Sequence, residues 1–264
     1  MYSSLEFFRL CKKTAKEIEK ELVPLIGTSY GAEELCMGAD NTPTERLDKI
    51  AEDIVIKNFS EKKFCKYILS EEAGMVDIDG KEGIAYLDPI DGSFNAGAGI
   101  PFYALSIGLS DGEKMIYGFV KNLASGEIFT AELGKGAFLN GNPIKVSEKS
   151  ELGVSAISFY SKAPDMIKLL HQGLIVRRGR KLGASAIELC YVACGRLEAF
   201  LDMRGTLRIT DAAAGILICR EAGGIVSLPN GSPCVFPDDV KVGRQLLAAN
   251  PHVHKIISQI ARSV

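Results

Sequence analysis

The chain has 264 residues, 47% of them hydrophobic and 24% charged, with 31 basic side chains against 33 acidic ones. This composition excludes a disordered chain, and the formal charge of −2 gives none of the basic surplus that nucleic-acid backbone binding normally needs. At roughly 150 residues per domain, the length suggests one large α/β domain or two lobes sharing a core.

Taken in chain order, Leu5, Phe8, Ala15, Ile18 and Leu22 recur at helical spacing and predict an amphipathic helix from Ser3 to about Leu22, stopped near Pro24. A second helix is expected from about Glu45 to Phe59. Short β-like runs follow at Tyr67–Leu69, Ile84–Leu87, Tyr103–Leu109, Ile116–Val120, Glu127–Ala131 and Ala137–Leu139, separated by Gly, Asp and Asn turns. This half reads as helices packed on a meandering sheet. After Ser150 strands and helices alternate. Strands are expected at Val154–Phe159, Glu198–Leu201, Ile225–Leu228 and Gln245–Ala249, and helices at Asp165–Gln172, Ser185–Cys194, Asp211–Ala222 and after Pro251. The change of rhythm predicts two sub-domains, residues 1–148 and 149–264.

Seven cysteines without a C-x-x-C indicate neither a disulfide framework nor a zinc knuckle, and read as buried thiols of a cytoplasmic protein. No apolar run reaches the ~18 residues of a membrane span, and the N-terminus lacks a secretory signature. The three histidines stand in no metal-binding or nucleophile-activating pattern, so the chemistry falls to carboxylates or hydroxyls.

Those carboxylates concentrate at Ala85-Tyr-Leu-Asp-Pro-Ile-Asp-Gly-Ser93, where an apolar strand runs into Asp88 and Asp91. A turn there brings both carboxylates to one side, with the Ile90 carbonyl between them. Such histidine-free oxygen ligation suits Mg²⁺ or Mn²⁺ better than zinc or copper. Gly92 and Ser93, if they open a helix, add an anion site. The same D-P-x-D-G also reads as a plain turn. Glu71 and Glu72 end a neighbouring apolar run; Asp48 reads as a helix-face residue or a site acid, and Asp211 as a helix cap, a ligand or both.

Ser70-Glu71-Glu72, Asp88-Pro-Ile-Asp-Gly-Ser-Phe-Asn95, Gly183-Ala-Ser-Ala-Ile-Glu188, Thr210-Asp-Ala-Ala-Ala-Gly215 and Glu221-Ala-Gly-Gly224, in that order, resemble the inositol monophosphatase family of Mg²⁺-dependent, lithium-sensitive sugar phosphatases. Gly38-Ala-Asp-Asn-Thr-Pro-Thr44 is most similar to its archaeal branch, whose members commonly act on both inositol monophosphate and fructose 1,6-bisphosphate. The resemblance implies a sugar-phosphatase fold of alternating α-β-α-β-α layers and a homodimer. It places the metal ligands on Glu71, Asp88, the Ile90 carbonyl, Asp91 and Asp211, and a water-activating pair on Ser93 and Asp48. Ser93 stands where the family usually has threonine, and Thr44 and Asp48 lie one residue further apart than in the animal enzymes.

The activity so implied is hydrolysis of a phosphorylated sugar or polyol by water activated on two or three Mg²⁺ ions, with Mn²⁺ as substitute. Asp91, Gly92, Ser93 and Ser185 would hold the phosphoryl group. Arg177 and Arg180, in a basic cluster before Ser185, and Arg204 and Arg208, which precede Asp211, read either as solvated turns or as contacts to a distal phosphate. A nucleotide 3′- or 2′-phosphatase and a catalytically silent metal-binding homologue remain as alternatives; Gly97-Ala-Gly99 lacks the G-x-G-x-x-G spacing of a dinucleotide fold.

Overall fold

A computed structural model describes residues 3–262. Its first helix, α1 (Ser4–Leu22), is opened by a capping box in which Ser3 N–H donates to Glu6 Oε2 (2.9 Å) and the Ser3 hydroxyl accepts from Glu6 N–H (3.4 Å). Ala15, Ile18 and Leu22 are buried as their spacing predicts, but the buried stripe continues through Cys11, Leu10 and Phe7, leaving Leu5 exposed. α1 packs with α2 (Arg46–Lys62) on one face of an eight-stranded sheet through Phe7, Ile18, Phe59, Leu87 and Phe119.

That sheet contains β3 (Tyr67–Ser70), β4 (Gly74–Asp77), β5 (Ile84–Asp91), β6 (Ala104–Ser110), β7 (Met115–Asn122), β8 (Ile128–Glu132), β9 (Gly136–Leu139) and β10 (Asn142–Ile144), in the order β10-β9-β8-β7-β6-β5-β3-β4. Only β3 and β5 pair in parallel; the other neighbours are antiparallel. A second, five-stranded sheet has the order β12-β11-β13-β15-β14, from β11 (Ala156–Tyr160), β12 (Arg178–Arg180), β13 (Ala199–Leu207), β14 (Ile225–Ser227) and β15 (Arg244–Ala249). Between the sheets lie α5 (Ser185–Ala193) and α6 (Ile209–Glu221), sharing a core with Val120 and Phe129 on one side and Phe200 and Leu246 on the other. α4 (Ala163–His171) and α7 (Pro251–Ala261) cover the outer face of the second sheet through Leu169, Val253 and Ile257. The layers thus alternate α-β-α-β-α, and no described helix is long and apolar enough to cross a membrane.

The elements absent from the sequence expectation are short and polar. The hairpin of β1 (Glu34–Met37) with β2 (Pro43–Glu45), β4, β10 and β12 have three or four residues each and show little apolar alternation. β5 runs four residues beyond its expected end because Pro89, which cannot donate to a ladder, falls at a bulge. Cys36 departs from the buried-thiol expectation: it sits exposed on β1.

α6 can approach the first sheet closely because it rests on a cross-strand glycine pair, Gly108 on β6 and Gly118 on β7. A Cβ at Gly118 would stand 2.9 Å from the Ala214 carbonyl oxygen, and one at Gly108 would stand 3.1 Å from Ala213 Cβ. Replacing Gly118 by Val should therefore destabilise the fold by about 1–3 kcal/mol through overpacking, lowering the thermal midpoint by several degrees in a melting scan. An unchanged midpoint would refute this seat for α6.

Candidate active site

Two parallel strands deliver the first acids. Ser70, the last residue of β3, pairs with Leu87 of β5, and Glu71 N–H donates to the Leu87 carbonyl (3.2 Å), so Glu71 just past β3 comes level with Asp88 on β5. Along a regular strand, residues three apart face opposite ways. Here Asp88 pairs with Ser106 and Asp91 with Ala104, three steps on β5 against two on β6, and the extra residue of this bulge turns both carboxylates into one cavity. Asp211, in the first turn of α6, completes a trio with Glu71 and Asp88 in which one carboxylate oxygen from each lies within 4.8 Å of those of the other two.

Asp91 is held from the other side. Its two oxygens accept the backbone N–H groups of Ser185 (2.9 Å) and Ala186 (2.7 Å), where α5 begins. The intervening Gly92 has φ +90°, and a side chain there would meet the Gly183 and Phe102 carbonyl oxygens at 3.0 Å, so only glycine fits. The segment before α5 is fixed by a buried network: Glu188 accepts from Ser158 Oγ (2.6 Å), Tyr160 Oη (2.9 Å) and Leu182 N–H (2.8 Å), while Gly183 N–H donates to Tyr160 Oη (2.7 Å). Asn95, in the short α3 (Ser93–Gly97), donates to the Phe102 (2.8 Å) and Leu182 (2.9 Å) carbonyls and ties the two chain halves together.

The cavity has a volume of about 550 Å³. Of the residues expected from sequence, Glu71, Asp88, Ile90, Asp91, Gly92, Ser93, Ser185, Arg204 and Asp211 all line it. Asp48 does not: it is buried behind the wall, where Oδ2 accepts from Glu45 N–H (3.2 Å) and closes the N-terminus of α2. Arg177 and Arg180 also lie outside the lining. The latter falls on β12, an exposed edge strand, and its guanidinium donates to the Gly179 carbonyl. Another cavity, about 750 Å³ and lined in part by Lys62, Asp79 and Asp111, contains none of the clustered acids.

Arg208, grouped with Arg204 from sequence as a solvated turn or a phosphate contact, lines the cavity, and Asp40, Tyr160 and Lys241 enter the lining without having been assigned to the site from sequence. Arg208 is the N-cap of α6, and its guanidinium reaches Glu71 (2.6 Å), Asp211 (3.0 Å) and the buried carboxylate of Asp40. Its position three residues before Asp211 was the available signal; Asp40, on the β1–β2 turn, gave none. Arg204 arrives because β13 leaves its ladder between Asp202 and Leu207, and Met203–Thr206 bulge toward the cavity.

Burial raises the pKa of Glu71, Asp88 and Asp91 well above the usual carboxylate range; repulsion from neighbouring acids adds to this, while Arg208 pulls Glu71 and Asp88 back. Burial likewise pushes Glu72 to about 7, against a hydrogen bond from Thr44 that favours its charged form. Three oxygen ligands this close, with no nitrogen or sulfur donor among them, fit a hard divalent cation.

A model of the inositol monophosphatase family matches residues 6–264. The chain belongs to that family. Its members are metal-dependent phosphatases, and this chain is an enzyme of that class. It is 42% identical over 220 residues to the fructose-1,6-bisphosphatase/inositol-1-monophosphatase of Thermococcus kodakarensis, covering 83% of this chain and 82% of that one. It is 38% identical over 276 residues to a bifunctional NADP phosphatase/NAD kinase of Methanococcus maripaludis, covering 95% of this chain and 48% of the longer relative. A crystal structure described as an inositol monophosphatase–fructose 1,6-bisphosphatase superposes with a TM-score of 0.88 at 35% identity, over 96% of this chain and 98% of that one.

The raised carboxylate pKa values have a consequence for stability. Each acid holds its proton to higher pH in the folded chain than in the unfolded one, so its contribution is complete below about pH 4, the ordinary carboxylate value, and is lost as pH rises through its elevated pKa. Chelator-treated protein should melt progressively earlier as pH is raised from the acid side through neutrality, with Asp88→Asn flattening the slope. A divalent cation should restore stability at the upper end, by about 2.7 kcal/mol at a hundredfold excess over its Kd. A midpoint that climbs with pH in the cation-free protein would contradict mutual repulsion and burial as the source of these shifts.

Proposed function

We propose that this enzyme hydrolyses phosphomonoesters of sugars and polyols, including fructose 1,6-bisphosphate and inositol monophosphate, with two or three Mg²⁺ ions that Mn²⁺ can replace. The observation that carries this is the trio Glu71, Asp88 and Asp211 facing the same cavity as Asp91 and the start of α5. Glu71, Asp88, Asp91, Asp211 and the Ile90 carbonyl would hold the ions. Once bound, Mg²⁺ supplies a water of lowered pKa and a Lewis acid at the leaving oxygen.

The chain's own groups do the rest. Ser93, at the cavity wall, orients the attacking water through its hydroxyl. Asp48 acts from behind that wall as part of the buried acidic group with Glu45 and Glu72, whose like charges add to the effect of burial in raising its pKa. The Gly92, Ser93 and Ser185 segment positions the phosphoryl group, and Arg204 faces the leaving alcohol from β13. Two sub-domains, 1–148 and 149–264, share the site, since Asp88 and Asp91 come from the first and Asp211 and Ser185 from the second. The same proposal places the enzyme in the cytoplasm, where its seven free thiols stay reduced, and makes it a homodimer.

A nucleotide 2′-phosphatase is the second reading, favoured by the alignment of 95% of this chain to a relative named for NADP phosphatase activity. Phosphate release measured over fructose 1,6-bisphosphate, inositol 1-phosphate, NADP and phosphoadenosine phosphate, with and without Mg²⁺, separates the two. Asp88→Asn should lower release by at least ~10²-fold, as expected for loss of one group stabilising transition-state charge, while the folded state persists. Near-normal turnover by a folded Asp88→Asn enzyme would remove the assignment.

A further inference from the structure

Three basic residues, Arg204, Arg208 and Lys241, line the cavity. Two are already committed to carboxylates. Arg208 is shared among Asp40, Glu71 and Asp211 at the acidic end. Arg204 grips the fully buried Asp202 with Nε (3.1 Å) and Nη2 (2.5 Å), and its guanidinium lies 4.3 Å from the centroid of the Tyr160 ring. Lys241 differs, making no ion pair among the described residues.

Nor is Lys241 on an arbitrary surface loop, because its backbone is pinned on three sides. Tyr86, on the strand that carries Asp88 and Asp91, donates through its hydroxyl to Asp238 (2.6 Å). Val240 is buried in a small apolar cluster with Leu69, Tyr86, Ile209 and Ala213. Gly243 lies against the β13 bulge so closely that a Cβ would stand 2.5 Å from the Gly205 carbonyl oxygen. The Lys241 N–H itself donates to Asp239 Oδ1 (2.8 Å). The segment therefore bridges the strand that carries the acids and the bulge that carries Arg204.

We propose that Lys241 reads the second phosphate of a bisphosphorylated substrate. The inference rests on the phosphatase reading above and deepens it by naming what distinguishes a bisphosphate from a monophosphate in this cavity. Once one phosphoryl group occupies the acidic end, a second, dianionic group elsewhere in a cavity lined by five carboxylates is repelled unless an uncompensated cation meets it. Lys241 is that cation, and a polyol monophosphate presents only neutral hydroxyls to it. As a point charge on a flexible stem, it attracts without imposing the two-pronged geometry of an arginine.

The test is steady-state kinetics of wild type, Lys241→Ala and Lys241→Arg on fructose 1,6-bisphosphate and inositol 1-phosphate at two ionic strengths. Lys241→Ala should raise KM for the bisphosphate about tenfold more than for the monophosphate, a differential of about 1.4 kcal/mol, with a smaller change in kcat. Added salt should shrink the wild-type advantage, and Lys241→Arg should recover most of it. Equal changes in both KM values, or failure of arginine to rescue, would overturn the role of Lys241. Wild type that releases phosphate from the monophosphate alone would also overturn it while leaving the phosphatase reading intact. No release from either substrate would overturn both.

Discussion

Burying like charges together is the constraint on which this structure turns. Asp40, Glu71, Asp88, Asp91 and Asp211 line one cavity, and Arg208 is the cation set among them. An isolated buried carboxylate is costly enough that it normally takes up a proton or finds a partner. The fold eases the difficulty by aiming helix N-termini at its acids, where exposed N–H groups and the helix dipole favour negative charge. Asp48 closes α2, Asp211 closes α6, and Asp91 accepts the first amides of α5. Residual repulsion is left over, and it is what a divalent cation relieves.

Meeting that constraint depends on close packing across the layers. Asp211 reaches Asp88 only if α6 lies low on the sheet, which the glycine pair Gly108 and Gly118 permits. α5 meets Asp91 only if the preceding segment is held, which Glu188 achieves through Ser158, Tyr160 and Leu182. Glu188 is buried and its acid pKa is raised by that burial, with its three hydrogen bonds opposing the shift. A polar network fully satisfied in this way specifies one geometry, since any displacement strands a buried group.

How far the sequence reveals this follows from the range over which each signal acts. The helices α1, α2, α5 and α6 are legible because apolar spacing, caps and closing glycines are local. The acidic residues at the ends of β3 and β5 are legible for the same reason: a strand, a proline and two carboxylates sit within a few residues. The short strands are not, because β1 and β12 are exposed and carry no apolar alternation to mark them. Arg177 and Arg180 mislead because charge clustering says nothing about which way an edge strand faces. Asp40 and Lys241 stay hidden because each reaches the cavity through a turn whose path is set by distant partners, Glu72 for the first and Tyr86 for the second.

The near-neutral composition conceals the main electrostatic fact about the molecule. A net charge of −2 describes the whole surface, whereas a phosphate entering the cavity meets five carboxylates and three basic groups in about 550 Å³. Dependence on a divalent cation and the placement of basic side chains thus answer the same problem at two distances. The cation neutralises acids gathered for chemistry, and the basic groups decide which anionic substrates can afterwards lie beside them. Because Arg208 and Arg204 are engaged by acids of the chain itself, selectivity among phosphates falls to groups further from the acidic trio, on a segment whose place is set by the same strand that carries Asp88 and Asp91.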